Sequence, residues 1–417
     1  MSDTAPSHPQ IVSIRQNLPC VITIKGSTSV ELGTEENVRH GMSHTSRSSS
    51  FPAAAFRNPF RDGAPEIVRL EQTGQGGHLV HLSNVDTKIG LNREVLFQTA
   101  SDVDQLVTVK HQGTVTAYWT GQDRKVWRSR LTRNGFAMPS EVRWAAGTRV
   151  LGVTYLVLKG GTVVQPHLYG ITWQTQRQPF RLWLRRPSDV PEFFPLLDPP
   201  RSEDRIVLSM TGIKSWVIDA CIDGNLRRWK GRSGGTAENP RTRPLHSVVP
   251  VEVIGACRAS QPHVIQPMFI GHRGQVYMQS VRTEPIRCIA ETAPVRRAEL
   301  VQTFTSEPLL YTAADDGRLA VTWPTLTDEG EVHWGATRVI STNFDISRKR
   351  LIPFTHPEDT PGFFVIDEKF PERVSLHSMQ DSETCSDGSR AGTPWWRLEL
   401  DVEELEEASP TALGARY

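Results

Sequence analysis

Residues 114–130 read TVTAYWTGQDRKVWRSR, and the same plan returns in SWVIDACIDGNLRRWKG at 215–231, HVIQPMFIGHRGQVYMQS at 263–280 and LLYTAADDGRLAVTW at 309–323. Each stretch is an apolar alternating strand, a tight polar turn with Asp or Gly, and a second strand in which apolar residues alternate with Arg, Gln or Thr. That is the pattern of a β-hairpin. Asp223-Gly224, Asp316-Gly317 and Gly274 supply the positive φ that such turns require. With Arg124, Gly224, Gly274 and Gly317 as the register, the repeats lie 100, 50 and 43 residues apart, so one unit is due in the first gap. HLYGITWQTQRQPFRLWLR at 167–185 fills it. An earlier unit is read in HLVHLSNVDTKIGL at 78–91, turning near Asp86, and a later one in FFVIDEKFPERVSLHSM at 363–379, turning near Pro371. Seven units of roughly 47 residues have the period of propeller blades. The predicted fold is therefore all-β, a seven-bladed β-propeller of four-stranded antiparallel blades.

The flanking sequence supplies the remaining strands. DQLVTVKHQ, RVLGVTYLVLKG, RIVLSMTG, VEVIGACRAS and AELVQTFTS precede the hairpins and have the small, β-branched content of inner strands near a crowded axis. SEVRWAAG, RPLHSVVP, IRCIAET and VHWGATRVI follow as outer strands. A ring of blades must also be closed, because an unsealed blade leaves an unpaired edge. Two segments are candidates to complete the last blade, Ile11 to Lys25 and Trp395 to Leu400.

Around this ring the chain divides into three parts. Residues 1–65 are expected to be largely disordered apart from the strand at 11–25, since 35–65 is rich in Ser, Arg, Pro and Ala without a sustained period. The propeller is expected over 66–400, and 401–417 is an acidic tail.

Composition excludes several function classes. Lys+Arg is 47 against Asp+Glu 46, a formal charge of +1, so there is no overall basic field for nucleic acid or an anionic membrane. The 29 Pro and 31 Gly disfavour long helices. The 5 Cys are odd in number, dispersed and without a C-x-x-C pair, which argues against a disulfide framework and a structural zinc site. No signal peptide, N-x-[ST] acceptor or membrane-spanning apolar run is read. The expected location is cytoplasmic, or secreted without a signal peptide.

Catalytic signals are weak. Gly231-Arg-Ser233-Gly-Gly235 has the letters G-x-S-x-G, but no helix follows to make a nucleophile elbow. His40 and His44 lack the Glu and the helix of a zinc motif. Asp219, Asp223, Asp315 and Asp316 could pair as glycosidase carboxylates, yet turn geometry already accounts for Asp223 and Asp316. Gly74-Gln-Gly76-Gly77 precedes no helix and so is no phosphate loop. No cofactor and no metal are expected.

At the hairpins the sequence resembles the lectin-type β-propellers, notably bacterial seven-bladed propeller lectins with blade turns close to G-T-D-G-x-L-[WY]. Gly121-Gln-Asp123-Arg-Lys-Val126-Trp127 and Gly271-His-Arg-Gly274-Gln-Val276-Tyr277 match most of that pattern. Ala314-Asp-Asp316-Gly317-Arg-Leu319 and Cys221-Ile-Asp223-Gly224-Asn-Leu226 keep the turn but lose the flanking Gly or aromatic. Fungal fucose-binding lectins are more distantly similar in style, although their recurring Arg, Glu and Trp triad does not recur here. The resemblance implies a carbohydrate-binding protein with sites in grooves between blades, where a sugar stacks on an aromatic ring while polar groups pair with its hydroxyls. Trp119, Arg124, Trp127, Trp173, Trp229, Tyr277 and Trp323 are the candidate ligand-binding residues. Trp119 and Trp173, nearer to turns, are expected to be the more exposed, whereas Trp at repeated strand positions, such as Trp127 and Trp229, is also what inter-blade core requires. The alternatives are a protein-interaction scaffold of the WD-repeat style and an enzyme using the central funnel. The expected partner is thus a glycan or a protein, and recognition is favoured over catalysis.

Overall fold

The structure, a computed structural model, describes residues 52–380 apart from short connecting loops, and the backbone of strands at Ile11–Ser13, Val21–Ile24, Val30–Glu31 and Trp395–Asp401. The three N-terminal strands pair antiparallel in a small sheet of their own, within a unit that spans Met1–Ser50. Phe51–Tyr417 forms the second unit, a propeller of seven antiparallel blades.

Every blade is built from consecutive strands. Blade 1 comprises Ala53–Asn58, Ala64–Thr73, Gly76–Ser83 and Asn92–Thr99. Blade 2 comprises Val103–His111, Thr114–Gly121 and Val126–Thr132, with two short outer strands, Gly135–Phe136 and Ser140–Glu141, both paired to the third. Blades 3 to 7 open on Thr148–Val157, Ile206–Met210, Pro250–Arg258, Val295–Val301 and Lys349–Pro353. These first strands lie innermost, each beside that of a neighbouring blade.

Blade 1 corrects the predicted boundary. The described part of HLVHLSNVDTKIGL, His78 to Ser83, belongs to the third strand and not to the second, because an additional inner strand, Ala53–Asn58, precedes it. The ring therefore starts at Ala53 instead of 66. The sequence AAAFRN escapes a propensity reading because Ala is a poor strand former, yet its small side chains suit the crowded axis. Residues 35–50, including His40 and His44, lie outside the described residues, as does most of the acidic tail.

The repeated turn has an architectural purpose. In blades 2, 5 and 6 the residues Arg124, Gly274 and Gly317 occupy the left-handed region at φ 61, 72 and 83°. Each amide donates to the carbonyl three residues back, to Gly121, Gly271 and Ala314 respectively. Each carbonyl in turn accepts the amide of the segment entering the next blade: Gly147 at 3.1 Å, Val295 at 2.6 Å and Phe344 at 2.8 Å. The turn thus fixes both a hairpin and the following crossover, which explains why its residues repeat without reference to a ligand.

The core is layered between blades. Trp119 packs with Phe56 and Leu79 at the blade 1–2 interface, and Trp183 with Val107 and Val150 at the 2–3 interface. Trp216 and Trp229 pack with Phe194 and Leu184 at the 3–4 interface. A buried Trp removes roughly 150–250 Å² from water, on the order of 4–6 kcal/mol before entropy is charged against it. Gly231, the first letter of the G-x-S-x-G match, lies directly opposite Trp216, whose ring occupies the place of a Cβ. That glycine is an inter-strand seat for an indole, and Ser233 follows in a turn.

Among the described residues of the propeller unit, every blade is completed by strands consecutive in the chain. Trp395–Asp401 pairs with Val374–Gln380 as the outer strand of blade 7, so this is the candidate segment that completes that blade. Blades 7 and 1 meet through a parallel bridge between Phe354 and Ala55 and a shared core of Ile67, Val80, Leu82, Phe354, Phe364 and Leu376. Among the described residues, no helix is long and apolar enough to cross a membrane.

Candidate functional site

A pocket of about 150 Å³ opens between blades 1 and 2. It is smaller than the ~300–1,000 Å³ of drug-sized sites, so any occupant is small. Blade 1 provides its floor. Asn58 ends the inner strand, and the turn that follows holds Arg61, with the carbonyl of Asn58 accepting the amides of Arg61 and Gly63 at 3.2 and 3.0 Å. His81 lies directly opposite Glu94 on the neighbouring strand, and residues so paired share one face of the sheet. Blade 2 contributes the other wall through the tip Thr132–Gly135.

The polar groups form a chain from the core outward. Glu66 is fully buried. One of its oxygens accepts from Asn58 Nδ2 at 2.9 Å, and the other lies 2.7 Å from His81 Nε2. Arg61 approaches the same carboxylate at 3.6 Å. The His81 ring is stacked on Phe56 and meets Phe136 edge-on, at 5.9 and 5.0 Å, which fixes its plane. Its second nitrogen, Nδ1, is buried without a hydrogen-bond partner, and Glu94 Oε2 lies 3.6 Å away. Gly135, at φ 105°, completes the wall: a Cβ there would stand 2.8 Å from Glu94 Oε2. Arg133 and Asn134 project from the exposed tip beside it.

The residues selected from sequence lie elsewhere. Trp119 is 1% exposed and sits in the blade 1–2 core, directly across from Trp127. The expectation that a position near the turn would expose Trp119 is thus corrected: its face of the strand points to the neighbouring blade. Trp229 is buried as well, its Nε1 donating to the carbonyl of Leu197 at 2.9 Å. Trp127 is half-buried against Phe97, Tyr277 is stacked on Phe269, and Trp323 borders the core between blades 6 and 7. Arg124 is exposed in its turn. Trp173 lies outside the described residues. Trp119, Arg124 and Trp127 share blade 2, Trp229, Tyr277 and Trp323 lie in blades 4, 5 and 6, and of those described only Trp119 and Trp127 are brought face to face. Sequence reasoning missed the pocket because it sought aromatic repeats. The available signal was His81, a polar residue set within the apolar run Leu79 to Leu82.

Other ionisable residues do converge near the inner strands, but they are paired. Asp359, in the loop after the first strand of blade 7, accepts from Lys110 Nζ of blade 2 at 2.5 Å and from the amide of Arg57 of blade 1 at 3.3 Å. His356 of the same loop meets the Tyr155 ring of blade 3 at 4.9 Å. Burial, reinforced by Lys110, pushes the His356 pKa down to about 3, so its 4.0 Å approach to Asp359 is not an ion pair at neutral pH. Burial raises the Asp359 carboxyl against the opposing pull of Lys110. Arg205 bridges Glu252 and Glu299 of blades 5 and 6 at 2.9 and 2.7 Å. Asp219, one of the carboxylates weighed for glycosidase chemistry, is engaged by Arg228 through two bonds of 2.6 and 2.7 Å. Asp315 pairs with Arg296, and Asp316 with Arg318. Among the described residues no group of three His, Cys, Asp or Glu could hold a metal ion.

No family model matches the chain, and no curated protein matches it. Solved structures do share its architecture. BBS1N, determined in complex with ARL6DN, gives a TM-score of 0.50 at 10% identity, covering 80% of this chain and 93% of that one. The Aleuria aurantia lectin in complex with Fucα1-6GlcNAc gives 0.41 at 9% identity, over 71% and 97% of the two chains. AofleA from Arthrobotrys oligospora gives 0.40 at 13% identity, over 70% and 88%. The Aleuria lectin is described as a six-bladed β-propeller, one blade fewer than the seven found here. At these identities the likeness concerns the fold alone.

Proposed function

We propose that this propeller is a recognition protein which binds a hydroxylated, carbohydrate-type ligand in a groove between blades. The observation that carries the reading is the blade 1–2 pocket, where an unpartnered imidazole nitrogen, a carboxylate and the arginine and asparagine of a hairpin tip surround one small space. Convergent polar groups in a concavity are how sugars are recognised. The half-buried Trp127, Tyr277 and Trp323 are the aromatic surfaces that secondary sites on other blades would use. A glycan array followed by calorimetry tests the proposal: saturable binding of at least one glycan is expected, and the absence of binding across a broad array overturns it.

A protein-interaction scaffold is the second reading. It is favoured by the edge of blade 3, where Val190 and Leu197 are 83% and 61% exposed around the outer strand Glu192–Pro195. Cross-linking in the native cell, with and without Val190→Ser and Leu197→Ser, separates the two. Loss of a stoichiometric partner in the variants supports the scaffold.

A further inference from the structure

We infer that the blade 1–2 pocket is selective for an uncharged vicinal diol, held with its hydroxyl protons directed inward to His81 and Glu94; this rests on the recognition reading above and names the ligand class for that site. The direction of the hydrogen bonds carries the argument. A carboxylate only accepts, so the 2.7 Å contact with Glu66 places the imidazole proton on Nε2. With that single proton on the ring, Nδ1 carries a lone pair beside the pocket that His81 lines. Glu94 Oε2 is a second acceptor, 3.6 Å from that nitrogen and too far for a hydrogen bond between them. Buried Nδ1 has no donor in the protein, and the histidine side chain is 4% exposed. The site therefore holds two adjacent acceptors, one buried without a protein donor and one partly exposed, which a bound donor pair can satisfy together.

The surrounding charges narrow the donor. An ammonium would face Arg61 and Arg133, and an anion would face Glu94 and the imidazole lone pair. A metal ion would find fewer than three ligands among the described residues. Two hydroxyls on adjacent carbons meet neither objection. Their protons serve Nδ1 and Oε2, while their oxygen lone pairs accept from the Arg133 guanidinium and the Asn134 carboxamide at the rim. Gly135 keeps the carboxylate in this position, since any side chain there would displace it.

The test titrates the full chain by calorimetry with methyl mannoside, methyl fucoside and sorbitol, with glucosamine and glucuronate as charged counterparts. A saturable site for a neutral diol is expected, with affinity reduced at least tenfold in both Glu94→Ala and Glu94→Gln. The His81 Nδ1 resonance, followed by ¹⁵N NMR, is expected to move on binding in the native chain. Glu94 is partly exposed, so these variants are expected to fold, which a thermal melt checks. Preferential binding of glucosamine or glucuronate overturns the inference, as does neutral-sugar binding that Glu94→Ala leaves unchanged. In the latter case glycan recognition stands and only this pocket's assignment falls, whereas a native chain that binds no glycan removes both.

Discussion

Blade 1 meets a neighbour on each side, and its two borders treat buried polar groups in opposite ways. At the border with blade 7, Asp359 is 2% exposed and fully engaged: Lys110 and the amide of Arg57 both donate to it, tying three blades through one carboxylate. At the border with blade 2, His81 is nearly as buried, but one of its nitrogens has no hydrogen-bond partner, and the residue lines a cavity. A satisfied buried charge is a fastening. An acceptor without a protein donor beside open space takes its hydrogen bond from whatever donor occupies that space, because leaving it dry costs about 1–3 kcal/mol. Among the described residues no strand is exchanged between blades 7 and 1, so that border relies on the fastening, and the second, already held by Trp119 and Phe56, is free to keep a gap.

The largest test of this contrast is Asp359→Ala. Breaking a buried pair by removing one partner costs about 3–5 kcal/mol, and urea unfolding is expected to show that loss, whereas Glu94→Ala is expected to stay within about 0.5 kcal/mol of the native chain. Equal losses for the two would erase the distinction.

The pH dependence of the fastening is the next largest effect. His356 has a folded pKa of about 3, depressed below its ordinary 6.5. The unfolded chain therefore binds the extra proton first, and this contribution to stability is present above pH 6.5 and lost as pH falls toward 3. At about 1.4 kcal/mol per unit it reaches at most about 4–5 kcal/mol. Asp359 acts oppositely: its folded pKa is raised, so its desolvation penalty is relieved as pH falls toward the ordinary carboxyl range. The measurement is chemical denaturation between pH 4 and 7 for the native chain and His356→Asn, with a flatter profile expected in the variant. Identical profiles would show that His356 does not govern the acid sensitivity of this border.

Smaller effects sharpen the role of the repeated elements. Gly231→Ala pushes a methyl into the Trp216 ring and is expected to cost about 1–3 kcal/mol by thermal unfolding. A neutral result would mean that Gly231 is not a seat for the indole. Ser233→Ala, by contrast, is expected to change neither stability beyond about 0.5 kcal/mol nor any glycan affinity, as measured by the same melt and by calorimetry.

Much of the architecture was legible in the sequence because a propeller repeats its hydrogen-bonded turns. Arg124, Gly274 and Gly317 stand at one position of one device, and their spacing alone led to a ring of blades. Blade 1 was misplaced by a strand because its inner strand is written in alanine and no Asp-Gly separates its second and third strands in the sequence. The site was hardly legible. Trp119 and Trp229 carry the composition of a sugar platform, yet whether a Trp faces solvent or the next blade depends on which side of its strand is covered, and no local pattern records that.

What the sequence by itself determined, then, is the periodic part: strand alternation, turn chemistry and the number of blades, all set by interactions between residues close along the chain. Tertiary structure alone decided how the ring closes and where it leaves a gap. The fastening joins Asp359 to Lys110 and the pocket joins His81 to Asn134, and such partners meet only when blades pack, so their pairing is a property of the interfaces and not of any one strand.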